Sequence, residues 1–358
     1  MVNPIRSLVV CADPGVPLLG PSGASAHLRA IAGELAGRGD VVLAVARRTD
    51  RRGAAEGDLP LPTVYRPPRR WSWLPRKHRE QGERWDGRAL LARGLRAAPW
   101  RPDLIWSRHS LLFDAPAPRG VPLIAELNAP LALERGRYGR IFHPQRAAAV
   151  ERLALQRADR VVAVSSWLAE WAVREAGVAP DRVRHVPNGV LPAAGDRAGT
   201  RAALGLEGLV IGFLGSGRPW HGAGRLPALL DRLPEATGLY VGPDAPTHPR
   251  LRAMGQVPET AVPDLVAAMD VGLAPYLPDA PPWFCPLKVL AYLAQGTQVV
   301  AAPVGDVPHL LRDGGGVTVE GDALEPWVEA IRSRARAPRL LRVRPWSAVV
   351  DEALDGLL

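Results

Sequence analysis

The stretch PPWFCPLKVLAYLAQG, Pro281 to Gly296, holds one of only two lysines, Lys77 and Lys288, among 45 basic residues. Pro286 suits the first turn of a helix, where its missing amide would have no partner in any case. The amides of Leu287, Lys288 and Val289 would then stand free at the positive end of the helix dipole. Lys288 adds a full charge there, which is locally unfavourable unless an anion lies between the ammonium and the dipole. A second stretch, LGSGRPWHG, follows an apolar run and carries Gly215, Gly217 and Gly222 around a turn. Such a loop lets backbone N–H groups close on a phosphate, and Arg218 adds a planar charged fork. Holding a phosphate or diphosphate is the chemistry these two stretches suggest. A plain strand–helix turn explains the glycines equally well.

Rigid elements must bring these stretches together. Short apolar runs alternate with helix-period segments, the pattern of an α/β protein with parallel sheets. SLVVCA, DVVLAVAR, PDLIWSRH, VPLIAELN, DRVVAVSS and RVRHVPNG read as strands of a first unit. Helices fall on the face Leu28, Ile31 and Leu35, around 147–158, and around 167–176. Leu191 to Gly208 reads as a linker and the first turn of a new unit. LVIGFLGSG, GLYVGP, DVGLAPYL, TQVVAAPV and GVTVEG read as strands of a second unit. Its helices fall near 226–233, 262–269, 287–295 and 307–311, and PWSAVVDEALDGLL closes the chain as an amphipathic helix. The expected architecture is two facing Rossmann-like domains, 1–190 and 191–340, with 341–358 packing back on the first. A cleft at the carboxyl ends of the strands would hold the ligand, bordered by HVPNGV.

The length of 358 residues fits two domains, and 47% apolar with 23% charged residues is close to a soluble average. No apolar run approaches the roughly 18 residues of a membrane span. MVNPIRSLVVCADPG reads as a first buried strand and not as a leader. Cys11 and Cys285 give neither a disulfide framework nor zinc spacing, so a reduced cytoplasm is the simplest home. The net charge of +9 is concentrated: between Arg66 and Arg101 eleven basic residues face three acidic ones. Trp71, Trp73, Trp85 and Trp100 are interleaved with them. Such a segment suits a peripheral contact with an anionic membrane surface or an acidic partner. It also suits a solvated face in an arginine-biased chain, and nucleic-acid phosphates are the least favoured partner.

Eight stretches in order carry a resemblance to a known family. They are GASAHLRAIAGELAGRG, RPDLIWSRHSL, ELNAPLALER, ADRVVAVSSWL, VPNGV, GFLGSGRPWHG, MDVGLAPY and CPLKVLAYLAQG. Over roughly Val9 to Gly314 the chain resembles the retaining glycosyltransferases of family four, in the variety with an ELNAP motif. The resemblance implies a GT-B architecture and a nucleotide-sugar co-substrate, with no metal and no other cofactor. It places the diphosphate at the glycine loop of the second domain and the acceptor on the first. Lys288 and Arg218 would stabilise the charge growing on the departing diphosphate. Asn128 stands where many relatives carry a catalytic His, and Asn is usual there in the ELNAP variety. Gly23, Ser25, Ser216, Gly217, His221, Leu287 and Val289 would contact the donor, and His27, His109 and Glu126 the acceptor.

The chain departs from the family pattern at the donor side. Ser216 and His221 stand where an Arg and a Lys usually contact the diphosphate, and a histidine is mostly neutral at pH 7. Trp283 and Ala291 stand where paired glutamates usually fall, and alanine cannot accept hydrogen bonds from ribose hydroxyls. Ser107 replaces a usual Glu before Arg108-His109. The implied activity is metal-independent glycosyl transfer with retention. A catalytically silent relative, acting as a binding or partner subunit, is the competing reading, and an anionic-surface binder working through 66–101 is a third.

Overall fold

The computed structural model describes residues 4–20, 22–49, 60–67, 76–139, 141–191 and 193–358. Trp71 and Trp73 of the basic segment lie outside these residues. The chain divides into two compact units, Met1–Asn188 with Trp346–Leu358, and Gly189–Pro345.

Unit 1 is built on a seven-stranded sheet: β1 (Ser7–Cys11), β2 (Val41–Val45), β3 (Thr63–Tyr65), β4 (Leu104–Arg108), β5 (Leu123–Leu127), β6 (Arg160–Ala163) and β7 (Val183–His185). The order is β3-β2-β1-β4-β5-β6-β7, and every pairing is parallel. Parallel sheets are covered on both faces, so their strands are apolar throughout rather than alternating; β1 and β2 are buried at every position. The helices are α1 (Gly23–Ala36), α2 (Arg76–Ala97), α3 (Leu131–Tyr138), α4 (Pro144–Arg157) and α5 (Ser166–Arg174). Ser22 and Ser165 cap α1 and α5 by accepting from the amides of Ser25 and Leu168, as short hydroxyl side chains do at helix starts.

Unit 2 repeats the design with six strands: β8 (Leu209–Leu214), β9 (Ala236–Val241), β10 (Leu251–Ala253), β11 (Val271–Ala274), β12 (Gln298–Ala301) and β13 (Gly316–Thr318). Their order is β10-β9-β8-β11-β12-β13, again parallel. Its helices are α6 (Arg197–Leu204), α7 (Arg225–Arg232), α8 (Val262–Ala267), α9 (Leu287–Ala294), α10 (Val307–Leu311) and α11 (Leu324–Ala335). A final helix, α12 (Trp346–Leu354), returns to unit 1, where Trp346, Val349, Val350 and Ala353 join the core formed by α1 and the sheet. Each unit thus has its own apolar core.

Several elements differ from the sequence reading. The stretch read as a linker contains α6, capped by Asp196 at its start and closed by Gly205 in the left-handed conformation. Edge strands β3 and β10 are only three residues long, too short for a period to register. Residues 76–97 of the basic segment form α2, a helix the sequence reading did not place, which buries Leu90 and Leu91.

Candidate functional site

In an open parallel sheet, ligands collect where neighbouring strands send their connections in opposite directions. In unit 2 that point lies between β8 and β11. The loop after β8 is the glycine loop, and the loop after β11 leads into α9. The two are in close contact. Gly222 has φ +68°, and a Cβ there would fall 1.7 Å from the carbonyl oxygen of Pro275. The amide of Leu277 donates to the carbonyl of Trp220 at 3.0 Å.

Lys288 enters this point from the first turn of α9. It is 7% exposed, and its ammonium lies 4.0 Å from the ring centroid of Phe213 and 5.1 Å from that of Tyr276. Among the described residues its Nζ has no hydrogen-bond partner. Burial lowers the ammonium from its ordinary value to about 7. Aromatic faces attract a cation but do not replace the three acceptors that its N–H groups lose on leaving water. The site therefore holds a cation that an incoming anion would stabilise. Phe213 and Tyr276 carry no signal in the sequence, because their pairing arises only when β8 and β11 become neighbours.

His221 closes the loop from the other side. Its Nδ1 lies 2.6 Å from the carbonyl oxygen of Ser216. A carbonyl only accepts, so Nδ1 carries the proton and Nε2 the lone pair. Burial, then the charges of Lys288 and Arg218, lower this imidazole to about 4 despite the hydrogen bond to Ser216. At neutral pH it is an uncharged ring beside the ammonium. Arg218 is exposed, with its guanidinium 5.2 Å from the ring centroid of Trp220. Trp283 is buried, and Ala291 lies half-buried on α9. One expectation needs correction. The amides of Leu287 and Val289 are not free, because they donate to the carbonyls of Cys285 and Pro286, each at 2.9 Å. The tight turn that starts α9 uses these donors itself.

In unit 1 the buried carboxylate Glu126, near the end of β5, organises most of the sequence candidates. Its Oε1 lies 3.3 Å from Nε2 of His27 and accepts from Arg108 at 2.9 Å and from Asn128 at 2.5 Å. Its Oε2 accepts from Trp106 at 2.8 Å. Burial alone would raise this carboxyl, but the charge and hydrogen bonds of His27, Arg108 and Asn128 hold it far below the usual range. Four side-chain donors saturate a carboxylate. Glu126 is therefore a positioning residue for His27, Arg108 and Asn128, which corrects its expected contact with an acceptor. His27 also lies tilted against Trp346, with 4.7 Å between ring centroids. His109 is bound through Nε2 to Glu151 at 3.1 Å, and Glu151 in turn accepts from the amides of Leu131 and Ala132 at the start of α3. The hydroxyl of Ser25 is buried, 3.0 Å from that of Ser22, beside Gly23 at the start of α1.

The switch point of unit 1 lies between β1 and β4. A cavity of about 330 Å³ lies there, bounded by the loops after β1 and β4 and by α2 and α3. None of the acceptor residues chosen from the sequence lines it.

Two family models match the chain. Residues 21–193 match the one described as Glycosyltransferase Family 4, and residues 223–336 the one described as Glycosyl transferases group 1. Each unit is thus matched by a glycosyltransferase family model over part of the chain, and the two parallel sheets are those of a GT-B fold. The chain is 29% identical over 185 residues to TuaH of Bacillus subtilis (strain 168), whose name assigns it as a glycosyltransferase to teichuronic acid biosynthesis. That match covers 47% of this chain and 46% of TuaH. It is 30% identical over 224 residues to a D-inositol 3-phosphate glycosyltransferase of Mycobacterium sp. (strain KMS), covering 56% of this chain and 50% of that protein. The matched segments thus span about half the length of these curated relatives. Among solved structures, a sucrose-phosphate synthase from Thermosynechococcus elongatus superposes with a TM-score of 0.66 at 17% identity, covering 99% of this chain and 94% of that one. Anabaena Alr3699/HepE, solved in complex with UDP-glucose, superposes with a TM-score of 0.64 at 19% identity, covering 98% and 95%. These likenesses describe the fold.

Proposed function

We propose that the chain transfers a sugar from a nucleotide-sugar donor to an acceptor carried by unit 1, with retention at the anomeric carbon and without a metal. The observation that carries this reading is the buried Lys288 ammonium at the β8/β11 switch point, beside a glycine loop. In the reaction the bond from the anomeric carbon to the distal phosphate oxygen breaks, and a bond to an acceptor hydroxyl oxygen forms. The acceptor proton passes to the departing phosphate. The protein then has to stabilise negative charge on the leaving group, which fixed cations and dipoles do best in a site shielded from water. Lys288 supplies that charge from the interior and Arg218 from the rim. His221, neutral at pH 7 beside Lys288, would become a second cation once a diphosphate raised its affinity for a proton.

Calorimetric titration with uridine, guanosine, adenosine and thymidine diphosphates tests the reading. At least one should bind, and Lys288→Ala should weaken it. If none binds, the proposal is wrong. Binding without turnover of the corresponding sugar nucleotide would instead mark a silent relative.

A peripheral contact with an anionic membrane surface is favoured by the outer face of α2. Arg93 and Arg96 are exposed there, beside a half-exposed Trp85. No helix among the described residues is long and apolar enough to cross a membrane. Sedimentation with phosphatidylglycerol vesicles, but not with phosphatidylcholine vesicles, is the expected outcome, and equal behaviour with both would dismiss the contact.

A further inference from the structure

The stretch from Arg332 to Arg344, which ends α11 and leads the chain towards α12, reads RSRARAPRLLRVR and holds six arginines and no acidic residue. Leu341 within it is 71% exposed, the highest value of any large apolar side chain among the described residues. Val343 at 46% and Leu340 at 42% accompany it. Single apolar side chains at a surface are ordinary, but a group of them marks a contact.

The backbone fixes this exposure. Nε2 of Gln298 donates to the carbonyl of Pro338 at 2.7 Å. Arg339 donates to the carbonyls of Met269, Ala267 and Gln295 and to the hydroxyl of Thr297. The amide of Arg342 donates to the carbonyl of Leu293 at 2.9 Å, and its guanidinium holds both the carboxylate and the carbonyl of Asp313. The carbonyl of Arg344 accepts from the amide of Val190, and Leu191 beside it is exposed as well. A segment tied at so many points is not free to roll and bury Leu341 and Val343. Its long polar side chains turn inward and its apolar ones outward, the reverse of the usual order at a protein surface.

Charge decides between partners. Arg332 pairs with Glu235 at 2.9 Å and Arg342 with Asp313 at 2.8 Å, and Arg344 is engaged as well. Among the described residues Arg334 and Arg336 pair with no carboxylate. Arg336 is exposed, and the chain between it and Leu341 spans at most about 18 Å. Glu325 and Glu329, which share a groove with Arg336, lie in the first half of α11. A second copy of the chain would set arginine against arginine here. A few apolar side chains also fall far short of the roughly 1,200 Å² that a stable protein interface buries. An anionic lipid surface demands neither shape nor area, because apolar tips enter between headgroups while guanidinium groups meet phosphates at the rim.

We infer that Leu341 and Val343, with the arginines around them, form a contact of unit 2 with an anionic membrane surface. The inference extends the membrane reading given above for α2, stands on different residues, and does not depend on sugar transfer.

Fluorescence of the full chain carrying Leu341→Cys, labelled with a polarity-sensitive thiol dye, tests the inference. The labelled parent chain supplies the background from Cys11 and Cys285. A blue shift is expected with phosphatidylglycerol vesicles and not with phosphatidylcholine vesicles, and it should weaken as salt is raised. Leu341→Ser combined with Val343→Ser should reduce binding to phosphatidylglycerol at least about tenfold. The denaturation midpoint should stay unchanged, since both side chains already face water. An unshifted dye on vesicles that still sediment the chain would overturn the inference, leave α2 as the contact, and assign the patch to a protein partner. Arg93→Glu with Arg96→Glu should leave the shift in place, and sedimentation unaffected by that pair would remove the α2 reading alone. Failure to sediment at all would remove both.

Discussion

A methyl group on Gly215 would lie 3.3 Å from the ammonium of Lys288 and 3.9 Å from Nδ1 of His221. The bare α-carbon of this glycine is what lets the loop pack this near the ammonium. Its φ of +134° is also a conformation that side chains rarely adopt. Gly215→Ala should therefore weaken diphosphate binding about as much as Lys288→Ala does, through obstruction and not through loss of charge. Calorimetry on both variants would show it, and wild-type affinity in Gly215→Ala would disprove the close approach.

The Lys288 ammonium also makes binding depend on pH. Burial lowers it from 10.5 to about 7, and a bound anion favours the charged form. Binding then takes up a proton at pH values above about 7, so diphosphate affinity should fall there by up to about tenfold per pH unit. Lys288→Met should remove that slope. For stability the sign is opposite. The unfolded chain binds this proton more tightly, so the penalty is complete below about 7 and disappears as pH rises towards 10.5. Denaturant titrations across this range should show wild type gaining on Lys288→Met as the pH rises.

Glu126 ties together donors from β4, α1 and the loop after β5. Glu126→Ala would leave Arg108, Trp106 and Asn128 buried without their acceptor. Removing one partner of a buried charged set costs about 3–5 kcal/mol, which should appear as a lower denaturation midpoint. If the midpoint is unchanged, the network is not what holds these loops.

Asp114 gathers Arg84, Arg88 and Arg157 of unit 1 around one buried carboxylate. Burial opposes ionisation, yet the hydrogen bonds and charges of Arg84 and Arg88 lower its pKa from 3.8 to about 2. Its stabilisation is complete above 3.8 and is lost as pH falls through about 2. Asp114→Asn should abolish that part of the acid response while lowering stability at neutral pH. An identical acid response in both proteins would remove the carboxylate from the account.

The parallel sheets were legible because strands buried on both faces read as apolar runs. SLVVC and VVLAV each fall entirely inside a strand. Both glycine-loop features and Lys288 could also be chosen from the sequence, since glycine spacing and a proline at a helix start are local signals. The unit 1 cavity could not. Asp13, Asp86 and Glu134 lie far apart in the chain and converge only when the sheet order β1-β4 and the faces of α2 and α3 are set. Net charge is silent for the same reason: eleven basic residues in one segment say nothing about which side of a helix each occupies. The free amides expected at Leu287 and Val289 failed because the residue that starts a helix also decides which carbonyls turn back towards it.

The amide of Val190 donates to the carbonyl of Arg344 at 2.9 Å, so the chain enters and leaves unit 2 one hydrogen bond apart. A domain whose ends meet behaves as a cassette. Residues 189–345 could be exchanged between relatives, or joined head to tail and reopened elsewhere, without stretching the backbone. Whatever each unit recognises can then be recombined by two splice points instead of by rebuilding either unit.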